Sequence, residues 1–130
     1  MKRLLFVCVE NANRSQMAEA FARIHGGPDV EAFSAGSAPS GRIKAQAIDS
    51  MREVGYDLGR HASKSLDDLP DLEFDAAVTM GCGDSCPGVR CKSREAWDIP
   101  DPRELLPDEF RAVRDLIEVK VRALLEDLGV

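Results

Sequence analysis

The chain has 130 residues, 44% of them hydrophobic, with a formal net charge of −6 and a pI near 4.9. That length and apolar content fit one domain, residues 1–130, with its own core, and the acidic balance excludes nucleic acid or an anionic membrane as the main partner. No apolar run approaches the roughly 20 residues of a membrane span, and "LLFVCV" near the start is too short for a signal-peptide core, so a cytoplasmic monomer is expected.

In chain order, "RLLFVCV" (3–9) is a short continuous apolar run, which predicts a buried parallel strand. Ser15 to His25 predicts a helix, with Met17, Phe21 and Ile24 on one face and Gly26-Gly27 ending it. "VEAFSAG" (30–36) predicts a second strand. A second helix is expected from about Arg42 to Val54, with Ile43, Ala47, Met51 and Val54 along one side. "FDAAVTM" (74–80) predicts the third strand and "AWDIP" (96–100) a short fourth. The last helix starts near Pro107, a residue suited to a first helical position, with Asp108 and Glu109 in the first turn. Its Phe110, Val113, Ile117, Val121, Leu124 and Leu128 step by three and four. The order β-α-β-α-β-β-α implies an α/β fold: a small parallel four-stranded sheet flanked by helices on both faces. In such folds ligands sit beyond the carboxyl ends of the strands.

At that position the chain reads "CVENANRS", with five residues between Cys8 and Arg14. A short loop between a strand and a helix N-terminus turns backbone N–H groups inward as an anion nest. Val9, Glu10, Asn11, Ala12, Asn13, Arg14 and Ser15 would form that oxyanion cup, with Arg14 forking two bonds onto a tetrahedral anion. Cys8 would lie at its base, where the helix end, the amides and Arg14 all favour its thiolate. Asn11 offers an amide to hold the loop, and Ser15 a hydroxyl to cap the helix or donate to the sulfur.

The other three cysteines, Cys82, Cys86 and Cys91, lie together in "GCGDSCPGVRC" after the third strand. Zinc would require four ligands, and this stretch supplies three without a second paired set, so no metal is expected. Cys91 also reads as a bystander. His25 near a helix end, His61 in a polar loop and Trp97 as a packing residue carry no functional signal.

"FVCVENANRSQMAEAFAR" resembles the opening of the low-molecular-weight protein tyrosine phosphatase fold, and in particular the thiol-coupled arsenate reductases built on it. "SAGS" (34–37), "HASKSL" (61–66), "VTMGCGDSCP" (78–87) and "WDIPDP" (97–102) follow in family order, so the resemblance spans the chain. It implies reduction of arsenate to arsenite in arsenic detoxification. Cys8 attacks arsenate held by the loop and Arg14, and Asp101, just before Pro102, protonates the departing oxygen. The resemblance further implies that Cys82 attacks the Cys8 sulfur, releasing arsenite, and that Cys86 then attacks Cys82. No bound cofactor is implied. An external thiol reductant is: thioredoxin, with mycothiol or glutaredoxin as alternatives.

The chain departs from that pattern at several points. Only three residues separate Cys82 from Cys86, fewer than in the thioredoxin-linked members, and Cys91 is a rival resolving thiol. Some members hold potassium near the loop. Asn11, Glu19 and Ser34 match that site, but Lys64 replaces its second carboxylate, so no potassium is expected. The alternative function is a tyrosine or small phosphate-ester phosphatase using the same Cys8, Arg14 and Asp101. The aromatics that such enzymes place after the Asp-Pro pair are absent from Arg103 to Leu106, leaving at most weak phosphatase activity.

Overall fold

The computed structural model describes residues 1–80, 89–102 and 105–130. Cys82, Cys86, Arg103 and Glu104 lie outside the described residues. The elements are β1 (Lys2–Val7), α1 (Arg14–Gly26), β2 (Val30–Ala35), α2 (Ala45–Arg52), β3 (Phe74–Thr79), β4 (Cys91–Ala96) and α3 (Pro107–Asp127). The four strands form one sheet in the order β2-β1-β3-β4, every neighbouring pair parallel.

β1 is central because both of its faces are apolar. Leu4, Leu5, Phe6 and Val7 are all fully buried. Successive side chains point to opposite faces. Leu4 and Phe6 therefore join the larger core cluster, and Leu5 and Val7 a smaller one. All three helices contribute to the larger cluster: Met17 and Phe21 from α1, Ala47 and Met51 from α2, Phe110, Ile117 and Val121 from α3. On the other face the described residues that cover Leu5 and Val7 include Leu66, Leu69 and Val89. Leu66 opens a short 3-10 turn, Leu66–Asp68, in the connection from β2 to β3.

Two elements differ from the sequence expectation. The predicted helix over 42–54 is shorter, because Lys44 is extended (φ −66°, ψ 138°) and its N–H bonds to the carbonyl of Ala12 at 3.0 Å. Residues before α2 are spent on bracing the loop after β1. The fourth strand is Cys91–Ala96, not 96–100. Its sequence CKSREA is polar and largely exposed, as suits an edge strand guarded by charge, and periodicity does not reveal it. The apolar residues that suggested a strand, Trp97 and Ile99, are buried beyond its end, with the Trp97 N–H on the carbonyl of Thr79 at 2.8 Å. Trp97 packs on Phe6 with ring centroids 6.0 Å apart, the packing role expected of it.

Glu53, just past α2, binds Arg111 at 2.8 Å and Arg114 at 2.7 Å on α3. The hydrogen bonds from these guanidinium groups push its carboxyl down to about 2. Among the described residues no helix is long and apolar enough to cross a membrane.

Candidate active site

β1 ends at Val7, and Cys8 follows it, 4% exposed, its N–H on the carbonyl of Ala35 at 3.3 Å. From there the loop is tied down through its carbonyl groups. The oxygen of Val9 accepts from Ala38 N at 2.9 Å, that of Glu10 from Ser40 N at 3.0 Å, and that of Ala12 from Lys44 N at 3.0 Å. The carbonyl of Asn11 accepts from Gln16 Nε2 at 3.0 Å, and that of Asn13 from Met17 N at 3.0 Å. A trans peptide points its C=O and the following N–H in opposite directions. Five successive carbonyls held outward therefore turn the amides of residues 10–14 toward the inside of the loop, as an anion nest requires.

Two residues make this turn possible. Asn11 has φ +50°, a left-handed conformation that asparagine tolerates better than other non-glycine residues. Its fully buried side chain donates to Ser15 Oγ at 2.8 Å and accepts from Gln16 Nε2 at 2.9 Å and Lys64 N at 2.7 Å. Gly36 passes directly beneath the loop. A Cβ there would stand 2.4 Å from the carbonyl oxygen of Val9, 2.7 Å from that of Cys8 and 3.0 Å from Asn11 N. Gly36→Ala is expected to lower stability by about 1–3 kcal/mol, the usual cost of overpacking against atoms that cannot move aside. Thermal denaturation should show the loss, and phosphate affinity should fall with it because the displaced atoms belong to the loop.

Ser15 Oγ lies 2.8 Å from Cys8 Sγ. Asn11 Nδ2 donates to the same oxygen, and the Ser15 hydroxyl hydrogen is available to a Cys8 thiolate. Arg14 Nη1 donates to the carbonyl of Ile99 at 3.0 Å, which tethers the guanidinium across 85 residues of sequence to the segment after β4. Cys8, Val9, Glu10, Ala12, Asn13, Arg14 and Asp101 line one cavity of about 230 Å³. The chain thus brings the predicted nucleophile, cation and acid to one cup, with a second carboxylate, Glu10, on its wall.

Behind the cup lies a layer that the sequence reading missed. His61 was expected in a polar loop, yet its side chain is 5% exposed. Its Nδ1 is 3.0 Å from Gln16 Oε1, and its Nε2 is 2.6 Å from the Tyr56 hydroxyl. Gln16 Nε2 donates to Asn11, so its Oε1 accepts, which places the His61 proton on Nδ1 and lets Nε2 accept from Tyr56. The neutral ring fits both partners. Burial pushes the His61 pKa below its ordinary value, against the pull of Glu19. A histidine whose folded pKa is depressed binds fewer protons folded than unfolded, so its stabilisation is present above about pH 6.5 and lost as pH falls below it. His61→Gln is accordingly expected to flatten the fall in stability below about pH 6.5, measured by denaturant unfolding of both proteins across pH.

Glu19, 3% exposed, anchors the same layer. Ser34 Oγ donates to it at 2.5 Å, Arg23 Nη2 lies 2.8 Å from it, and the Lys64 ammonium 3.9 Å. His25 pairs with Glu118 of α3 at 2.8 Å, away from the cup. Among the described residues no group of three or more His, Cys, Asp or Glu could hold a metal.

Cys91 opens β4 and pairs with Phe74, the first residue of β3, whereas Cys8 follows the last residue of β1, which pairs with Thr79. Cys8 lies one residue beyond that level, so Cys91 and Cys8 lie at opposite ends of the sheet, about 20 Å apart along it at roughly 3.3 Å per residue.

The pattern of the low molecular weight phosphotyrosine protein phosphatases matches residues 3–130. The chain belongs to this family. Arsenate reductases are among its relatives there. A glutaredoxin arsenate reductase of Synechocystis sp. is 34% identical, over 99% of this chain and 100% of that protein. The structure of an arsenate reductase in the phosphate binding state superimposes with a TM-score of 0.90 at 32% identity, covering 98% of each chain. A thioredoxin-dependent arsenate reductase of Corynebacterium glutamicum gives a TM-score of 0.77 at 30% identity, over 99% of this chain and 62% of that one. In this member of the phosphatase family, the cup is built from the stretch with the "Cys-x5-Arg-Ser" spacing, Cys8 to Ser15.

Proposed function

We propose that the chain reduces arsenate to arsenite in arsenic detoxification, with Cys8 as nucleophile and a cysteine relay as the source of two electrons. The observation that carries this reading is the outward anchoring of the carbonyls of residues 9–13, which leaves a cup of inward amides and Arg14 around Cys8. Such a cup binds a tetrahedral oxyanion and stabilises the charge that develops on it.

The Cys8 thiolate attacks arsenic, forming a sulfur–arsenic bond. The departing hydroxyl of hydrogen arsenate takes a proton from Asp101 and leaves as water. At this stage arsenic is still As(V). The Cys82 thiolate then attacks the Cys8 sulfur. The sulfur–sulfur bond forms, the sulfur–arsenic bond breaks, and its electron pair stays on arsenic, which leaves as As(III) arsenite. Two thiols have become one Cys8–Cys82 disulfide, which accounts for both electrons. Cys86 next attacks Cys82 and frees Cys8. An external dithiol reductant of the thioredoxin or glutaredoxin class then reduces Cys82–Cys86.

Cys86 suits the resolving step better than Cys91. In a Cys8–Cys82 disulfide the sulfur of Cys82 lies at the cup, and Cys91 is held in β4 at the far end of the sheet. Attack by Cys91 would require β4 to leave β3.

The reading is tested by a single-turnover assay with arsenate and no external reductant, followed by mass spectrometry of the disulfides. About one arsenite per chain is expected, since one cycle oxidises one thiol pair, together with a Cys82–Cys86 disulfide. Turnover of an aryl phosphate with no arsenite formed would instead favour the phosphatase.

A further inference from the structure

A second cavity, of about 440 Å³, shares no lining residue with the cup. Its walls carry three cations, Arg23, Arg60 and Lys64, against one carboxylate, Glu19. In a chain of net charge −6 this is a local reversal of sign. Glu19 is already committed. Ser34 Oγ donates to it at 2.5 Å, and Arg23 Nη2 lies 2.8 Å from it. The Lys64 ammonium stands farther off, at 3.9 Å. Among the described residues Arg60 makes no ion pair at all.

The two cations that Glu19 does not hold closely are fixed by other means. The Arg60 guanidinium lies over the Tyr56 ring, 5.2 Å from its centroid, a cation–π contact. The Tyr56 hydroxyl is in turn fixed on His61 at 2.6 Å. Lys64 Nζ donates to the carbonyl of Ala62 at 2.9 Å, which uses one of its three hydrogens. Burial does most to lower the His61 pKa, and Arg23, Lys64 and Arg60 add to it against Glu19, so the three charges act on one ring. The cations are also reachable. The Lys64 side chain is 30% exposed, and Arg23 and Arg60 are open to solvent.

The chemistry of these walls specifies a ligand. Arginine and lysine only donate, and Tyr56 and His61 are engaged with each other. A surplus of two positive charges excludes a metal cation and calls for a ligand with two negative charges and several acceptor oxygens. A guanidinium fork and an ammonium suit a phosphate group in particular.

We propose that this cavity is a second anion site, which holds a dianionic phosphate group between the Arg60 fork and the Lys64 ammonium, with Arg23 adding charge. The site stands on groups outside the cup and does not depend on the role of Cys8. With nearly twice the volume of the cup, it has room for the phosphate group of a small organic ester as well as for the free anion.

The test uses the reduced, full chain at low ionic strength, where exposed charges are least screened. The probes are inorganic phosphate and glycerol 2-phosphate. Calorimetric titration of the wild type with inorganic phosphate should show two anions per chain. Arg14→Ala should remove the cup site and leave this one. In that variant phosphate should shift the ring signals of His61 and leave those of His25, the other histidine, in place. Arg60→Gln should weaken this site at least about tenfold, the effect of losing a charge-assisted hydrogen bond, and keep the cup site within about twofold. Lys64→Gln should weaken it likewise, and decides the matter if Arg60→Gln does not fold. Either probe bound here supports the proposal, and the tighter one names the source of the phosphate group. A single anion per chain that is lost in Arg14→Ala would overturn it. So would a second anion that leaves His61 unshifted or is indifferent to both Arg60→Gln and Lys64→Gln.

Discussion

Cys8→Ser is expected to form no arsenite at all, whatever thiol donor is supplied, while still binding inorganic phosphate. The serine hydroxyl remains protonated where the thiolate is the attacking species, and it cannot form the sulfur–sulfur bond that delivers electrons to arsenic. Loss of chemistry with binding retained separates a nucleophile from a residue that merely shapes the loop. The fold should tolerate the change, because Cys8 is at the strand end, held by its backbone bond to Ala35, and a serine hydroxyl can hydrogen-bond to Ser15 in place of the sulfur. Cys82→Ser should behave differently. Cys8 can still displace an arsenate oxygen, so the adduct forms, but no second thiol is available to release arsenite. In a rapid-quench experiment the wild type should give about one arsenite per chain and Cys82→Ser close to none. If Cys82→Ser and Cys86→Ser both sustain repeated turnover with every donor tried, the intramolecular relay is wrong and a small thiol must attack the adduct directly.

Arg14→Lys is the second change with a large expected effect. Lysine keeps the positive charge but loses the planar fork and cannot both hold Ile99 and bind two oxyanion oxygens. Removing one well-placed donor from an oxyanion site typically costs about 10²–10³ in rate. We expect kcat/KM for arsenate to fall by at least that much in Arg14→Lys, and further in Arg14→Ala. Phosphate affinity should drop in parallel, because the same guanidinium acts on the bound anion and on the charge that develops later. Arg14 is only half-buried, so thermal stability should change little. A large fall in the unfolding midpoint with normal kinetics in the surviving fraction would instead make Arg14 a structural brace for the segment around Ile99.

The order of elements was legible because it depends on local signals. An unbroken apolar run predicts β1, three-and-four spacing predicts α3, and Pro107 with two acidic residues marks its start. The cup was legible for the same reason. Cys8 to Ser15 is one contiguous stretch, and its strand and helix flanks are read from the same local pattern. What supports the cup was not. Gly36, Gln16, Tyr56 and His61 matter through contacts that span from five residues to about a third of the chain, and neither periodicity nor composition encodes such a contact. His61 looked like a solvated loop residue because its neighbours in sequence are polar. Burial is decided by its neighbours in space, and those are Glu19, Gln16 and Tyr56.

The sequence by itself determined the α/β class, the position of the loop from Cys8 to Ser15 between strand and helix, and the set of thiols in the chain, since each of these rests on residue type at short separation. The tertiary structure decided which groups are usable. Parallel strand register sends Cys91 to the end of the sheet away from Cys8, and Ile99 reaches back to hold Arg14. It also turns five carbonyls outward so that the amides face in. Each depends on distance and direction between chain segments, quantities fixed only when the strands pair and the helices pack on them.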